Sequence, residues 1–114
     1  TETELQAEVS AEAARRLSGA QAVHLANLAR EALSNALRHA HAGRITVTLR
    51  DEPDRVTLEI ADDGCGFDPA APPHTGVGLT SMRKRAAEAG GELRVSSSAD
   101  KGTQVRVTVP QLET

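Results

Sequence analysis

The spacing of apolar residues switches between two periods along this chain, and the switches mark out its elements. Leu5, Ala7 and Val9 alternate with Gln6 and Glu8, which predicts a half-buried strand. From about residue 20 to 40 the period becomes helical: Leu25, Leu28, Ala29, Ala32, Leu33, Ala36, Leu37 and Ala40, with few β-branched residues between them. Ser18 stands where a helix N-cap belongs, and Gln21 three residues later completes a capping box. Gly43 ends the helix. Ile45, Val47 and Leu49 then alternate with Thr46 and Thr48, and Val56, Leu58 and Ile60 alternate with Thr57 and Glu59. Asp51-Glu52-Pro53-Asp54 between them is turn chemistry, so the pair predicts a β-hairpin.

From Gly64 to Thr75 the chain is rich in Gly, Pro and Ala, which predicts a loop. Leu79 to Ala89 is helical again through Met82, Ala86 and Ala89, and Gly90-Gly91 supplies its stop. Leu93–Ser97 and Val105–Val109 predict a second hairpin, with Ala99-Asp100-Lys101-Gly102 at the turn and Pro110 closing the last strand. The order is strand, long helix, hairpin, loop, helix, hairpin. Hairpins outnumber crossovers, so the fold class is α+β: a two-layer sandwich whose mixed, mostly antiparallel sheet carries helices on one face. Repeated strand–helix crossovers are absent, which excludes a doubly wound dinucleotide fold. No linker or repeat divides the chain, so residues 1–114 form a single domain.

Composition narrows the function. A net charge of −3 offers no basic footprint for nucleic acid, and Phe67, the single aromatic residue, cannot build a base-stacking platform. Cys65 is the only cysteine, and His24, His39, His41 and His74 show no zinc-type spacing. No apolar run is long enough to span a bilayer, so this domain is expected to make no direct membrane contact. A reducing, cytoplasmic setting fits. The abrupt start in polar sequence is read as that of a fragment of something longer.

Chemistry gathers in three stretches and one turn. Glu31-x-x-x-Asn35-x-x-Arg38-His39 places Glu31, Asn35 and His39 about 40° apart per step on one helical ridge. Asn35 offers a neutral oxygen suited to Mg²⁺, Arg38 can pair with phosphate, and Glu31 can orient or deprotonate a nucleophile. The competing reading is a solvated helix face. Asp62-Asp63-Gly64-Cys65-Gly66 ends a strand with a desolvated carboxylate able to accept from an adenine amino group, while the glycines let backbone pass close by; an ordinary Asp-Gly turn is the alternative. Gly76-Val77-Gly78-Leu79 opens a helix with backbone N–H groups that can hold phosphate, or is simply a flexible loop. Gly102-Thr103 starts the last strand and is equally a plain turn. Cys65 reads as a small filler, His41 and His74 as surface residues, His24 as half-buried, and Arg83, Lys84 and Arg85 as a solvated face.

Jointly these stretches resemble the N box, the two glycine boxes and the closing box of the histidine-kinase, gyrase, Hsp90 and MutL ATPase superfamily, whose fold is the Bergerat ATP-binding fold. The resemblance covers nearly the whole chain. More narrowly, the run Arg30 to Ala40 and Gly78-Leu79-x-x-Met82-Arg83-x-Arg85-Ala86 are similar to the catalytic domains of NarL/DesK-type sensor histidine kinases. The resemblance implies that Asn35 holds Mg²⁺, that Arg38 and His39 lie near the phosphates, and that Asp62 accepts from adenine with Thr103 assisting through a water. Gly64 and Gly66 would border the adenosine, and Gly76, Val77, Gly78 and Leu79 would hinge a lid over the triphosphate. Glu31 matches the general base of the hydrolytic relatives; in a kinase the resemblance implies that it would instead orient the attacking imidazole.

No histidine precedes His24, so the acceptor histidine of such kinases is absent from this chain. The reading is therefore a catalytic half that binds ATP·Mg²⁺, phosphorylates a histidine on a separate dimerisation domain, serves a response regulator indirectly, and shows little self-phosphorylation. The short stretch from Asp68 to Thr75 implies loose nucleotide binding. The parent kinase is allowed a membrane anchor. Two rivals remain open: a serine kinase of the anti-sigma-factor type, and a nucleotide-sensing interaction module without catalysis. A hydrolytic machine of the gyrase or Hsp90 sort would need a transducer domain.

Overall fold

The computed structural model describes residues 3–40, 43–64, 79–98 and 102–111. In chain order the elements are β1 (Glu4–Val9), α1 (Ala11–Arg16), α2 (Gly19–Asn35), a π-helical turn (Ala36–Ala40), β2 (Arg44–Glu52), β3 (Arg55–Asp62), α3 (Leu79–Glu88), β4 (Glu92–Ser98) and β5 (Gly102–Pro110). The five strands form one sheet in the order β1-β2-β3-β5-β4. Only β1 and β2 run parallel; the other pairs are antiparallel. The α+β sandwich with a mixed, mostly antiparallel sheet is the architecture found.

Local chemistry explains where the helices start and stop. The Ser18 hydroxyl accepts from the Gln21 amide at 3.1 Å, and the Gln21 carbonyl oxygen accepts from the Ser18 amide at 2.9 Å, the reciprocal pair of a capping box. The amide nitrogen of the same Gln21 side chain donates to the Ala89 carbonyl at 3.0 Å. One cap thus starts α2 and ties it to the end of α3. His24, half-buried on α2, adds a contact of 3.5 Å from Nε2 to Glu88 on α3. At the α3 terminus Gly90 takes φ +79°, and the Gly91 amide reaches back to the Ala86 carbonyl at 2.8 Å. That left-handed step is why a glycine stands there.

The core lies between one face of the sheet and the two long helices. α2 contributes Leu25, Leu28 and Ala32, α3 contributes Met82 and Ala86, and the sheet contributes Ile45, Leu58, Ile60, Val105, Val107 and Val109. β3 is the most buried strand, because it is paired on both edges and covered on both faces. Thr57 and Glu59, which alternate away from the helices, are buried too. Arg106 Nε and Nη2 donate to Glu59 Oε2 at 3.1 and 2.9 Å, and Arg50 Nη2 donates to Oε1 at 3.4 Å. A carboxylate so covered would be costly without these partners.

Three expectations need correction. β1 is a strand, but it is not half-buried: Leu5 and Val9 remain 58% and 61% exposed. Its alternation is real, yet it lies at the sheet edge, outside the shelter of α2 and α3. Next, α1 was not expected. Ser10 caps it by accepting from the Ala13 amide at 3.1 Å, and Arg16 fastens it to the first hairpin, donating to Asp51 at 2.5 Å and to the Glu52 and Pro53 carbonyls at 2.6 and 3.2 Å. Finally, the long helix does not stay α-helical to Ala40. It widens into a π turn after Asn35.

The contrast between core and edge is measurable. Leu28, fully buried, should lose about 2–5 kcal/mol on substitution by alanine, from lost transfer free energy and a residual cavity. Leu5→Ala should change stability by no more than about 0.5 kcal/mol. Urea unfolding of both variants checks the pair; equal losses would show that β1 is covered after all.

Candidate functional site

Asp62 is the last residue of β3 and pairs with Ile45 of β2 on one side and Thr103 of β5 on the other. The strand is fully buried as far as Ile60, so Asp62 is the point where it emerges, half-buried. β5 reaches this point by a close backbone approach. Gly102 has φ +84°, and a Cβ built on it would stand 2.1 Å from the Asp62 carbonyl oxygen. Only glycine permits that contact.

The Asp62 carboxyl is held and perturbed at once. Its Oδ1 accepts from the Gly64 amide at 2.9 Å. Burial pushes its pKa above the ordinary carboxylate value; the Gly64 and Thr103 amides oppose that shift, and the neighbouring Asp63 charge adds to it. A carboxylate has about four lone-pair positions, so those contacts leave capacity to accept from an incoming amino group. The Thr103 hydroxyl lies 2.8 Å from that of Ser97 across the β4–β5 pair. Ser97 was not singled out from sequence, since only strand register brings it beside Thr103.

The polar ridge lies on the last turns of α2. Glu31 and Asn35 are half-buried, and Arg38 is exposed within the π turn. A step of about 100° per residue applies up to Asn35; the wider i→i+5 turn beyond it advances less per residue. The His39 side chain lies outside the described residues, as do Gly66, Gly76, Val77, Gly78, the Leu79 side chain and the expected lid from Asp68 to Thr75. Leu79 begins α3, as the pattern required.

Helix direction brings the ridge to Asp62. The start of α2 is tied to the end of α3 through Gln21 and Ala89, so the helices run antiparallel and the Asn35 end of α2 lies toward the start of α3. The turn that follows α3 leads into Glu92, which pairs with Thr108; the opposite end of that hairpin holds Ser98, Gly102 and, across from Thr103, Asp62. The chain leaving the π turn joins this same end at Gly43 and Arg44. Both their amides donate to Asp63 Oδ1, each at 2.8 Å. Glu31, Asn35, Arg38, Asp62, Gly64, Thr103 and the first residue of α3 therefore share one end of the sandwich. Asp63, quoted only as part of a motif, is the residue whose role sequence reading missed. Its signal was a second carboxylate at a strand end, opposite the glycine that ends a helix.

The half-buried Asp62 acceptor thus lies at the same end of the sandwich as the last turns of α2 and the start of α3. Among the described residues no group of three or more His, Cys, Asp or Glu side chains could hold a metal ion unaided.

Comparison with known proteins gives the family. Residues 20–113 match the family described as histidine kinase-, DNA gyrase B-, and HSP90-like ATPase. The chain is 42% identical over 88 residues to the nitrate/nitrite sensor protein NarX of Escherichia coli, an alignment covering 77% of this chain and 15% of that protein. It is 41% identical over 87 residues to the sensor histidine kinase LiaS of Bacillus subtilis, covering 76% of this chain and 24% of that one. The fold superposes on the blue-light activated histidine kinase of Erythrobacter litoralis EL346 with a TM-score of 0.79 at 21% identity, over 96% of this chain and 35% of that one. With a family match over residues 20–113 and relatives of this identity, the chain belongs to the histidine kinase-, DNA gyrase B-, and HSP90-like ATPase family, as an ATP-binding domain of the sensor-kinase type.

Proposed function

We propose that residues 1–114 act as one catalytic unit that binds ATP·Mg²⁺ and passes the γ-phosphate to a histidine on a dimerisation segment elsewhere in a longer sensor kinase. A response regulator would take the phosphate next. The carrying observation is the half-buried Asp62 carboxylate, gripped by the Gly64 amide, at the same end of the sandwich as Asn35.

In this reading Asp62, ionised, accepts from the adenine 6-amino group, and Thr103 assists beside it. Gly64 and Gly66 border the adenosine. Asn35 would be the residue offering an oxygen to magnesium, an ion that favours hard oxygen donors. Bound magnesium would draw charge from the β- and γ-phosphate oxygens. Arg38, exposed on the π turn, and His39 supply positive charge or a donor to the phosphates. Glu31, one helical turn before Asn35, orients the acceptor imidazole, and Gly76, Val77, Gly78 and Leu79 hinge the cover over the triphosphate. The setting is cytoplasmic; no described helix is long and apolar enough to cross a membrane.

Calorimetry with ADP and ATP in the presence of Mg²⁺ tests the binding half of the proposal. Labelled ATP added with the separately produced dimerisation segment tests the transfer half. Phosphate on histidine supports the kinase reading, whereas phosphate on serine, or none, overturns it.

Asp62→Asn should weaken ADP binding by about tenfold or more, because a charge-assisted acceptor is replaced by a mixed donor and acceptor. Its ADP and GDP affinities should converge. Stability should move the other way. Since burial raises the folded-state pKa of Asp62, the wild-type side chain contributes most below its unfolded value, and that contribution is lost as pH rises through the folded value. The Tm of Asp62→Asn relative to wild type should therefore climb from about pH 4 and level off once Asp62 is ionised. A flat difference would contradict the assigned burial.

Asn35→Asp should reduce magnesium-dependent transfer by about ten- to a hundredfold while changing nucleotide affinity much less. Parallel calorimetry and single-turnover phosphorylation separate the two effects.

A further inference from the structure

Asp63 adjoins the proposed adenine acceptor, yet its carboxylate turns to a different task. Its Oδ1 accepts from the Gly43 and Arg44 amides at 2.8 Å each, and its own amide donates to the Arg44 carbonyl at 3.2 Å. The Gly43 carbonyl is itself taken by the Glu4 amide at 2.8 Å. The first residues of β2, which follow the helix carrying Asn35 and Arg38, are thus bracketed between β1 and the end of β3. From the other side Gly102 presses on the same spot, for a Cβ there would lie 3.2 Å from Asp63 Cα as well as against the Asp62 carbonyl. The Asp62–Asp63 link is held on both flanks.

From this geometry we infer that Asp63 is a positioning residue for nucleotide binding: its carboxylate sets the gap between the amide-bearing end of α2 and the Asp62 carboxylate. The inference rests on the ATP-binding reading of that site. Two amides on one oxygen fix direction as well as distance, since both must point at a single atom. No backbone ladder does this work at Gly43, where β2 has not yet begun. Without the carboxylate the Gly43 and Arg44 amides lose their shared acceptor, and what remains among the described residues is the Gly43 carbonyl bonded to Glu4 of the exposed edge strand β1 and the Arg44 carbonyl bonded to the Asp63 amide. Asp63 acts through what it holds, and it need not touch the nucleotide. A displacement of about 1 Å between two recognition walls suffices to cost an order of magnitude or more.

The test compares Asp63→Ala, Asp63→Asn and, as control, Arg16→Ala. Asparagine keeps a carbonyl oxygen that can accept from both amides; alanine keeps nothing. Arg16 fastens the opposite end of the same hairpin, so its loss lowers stability without disturbing the bracket. At a temperature well below every variant's Tm, ADP with Mg²⁺ should bind Asp63→Ala about tenfold more weakly than wild type. Asp63→Asn should recover most of that loss, and Arg16→Ala should bind as wild type does. Amide hydrogen exchange at Gly43 and Arg44 should accelerate in Asp63→Ala alone. Equal ADP affinity in Asp63→Ala and wild type overturns the inference and leaves the ATP-binding reading intact. So does an equal loss in Arg16→Ala, which would make the effect one of general stability. Failure of the wild-type chain to bind ADP overturns the functional reading and this inference with it.

Discussion

β3 is hydrogen-bonded along both edges, to β2 and to β5, and from Val56 to Ile60 it is covered on both faces. Much of the molecule follows from that burial. The helices dock on Leu58 and Ile60, while Arg50 and Arg106 close over Glu59 on the reverse face. A strand so enclosed cannot carry an unpaired carboxylate in its middle. Asp62 stands where the enclosure ends: dry enough to raise its proton affinity, open enough to retain an acceptor position. The site is a consequence of how deeply its strand is buried.

Two adjacent aspartates divide the work there. Asp62 is pushed toward its protonated form by burial, so ionising it costs stability. Asp63 is pulled the other way, chiefly by the Arg44 amide, and its contribution disappears only as pH falls through its lowered pKa. One side chain is perturbed by burial; its neighbour is satisfied by the fold. Groups that serve binding commonly cost stability, and groups that serve geometry commonly supply it.

Much of this was legible in the chain. The capping box at Ser18 and Gln21, the alternation in both hairpins, the Gly90-Gly91 stop and the strand-end position of Asp62 are all local signals, and each was found where expected. What escaped was set by contacts at long sequence separation. Six residues of α1 are too few to announce themselves by periodicity, and their anchor is Arg16 reaching the turn at Pro53. The exposure of β1 depends on what lies above it, which alternation does not encode. The π turn after Asn35 breaks a helical count that the sequence alone continues smoothly. Asp63 looked like half of a motif because its partners, Gly43 and Arg44, come about twenty residues earlier.

By itself, then, the sequence determined the order and type of the main elements, the class of fold and the chemistry carried at each element's end. Those properties depend on side-chain period, capping and turn preference, which act over a few residues. Tertiary structure alone decided which ends meet, how dry Asp62 becomes, which edge stays bare and which carboxylate holds the first amides of β2. Solvent exclusion and hydrogen-bond partnership arise only when distant segments touch. A residue's period says which way it faces; its neighbours in space decide what that facing is worth.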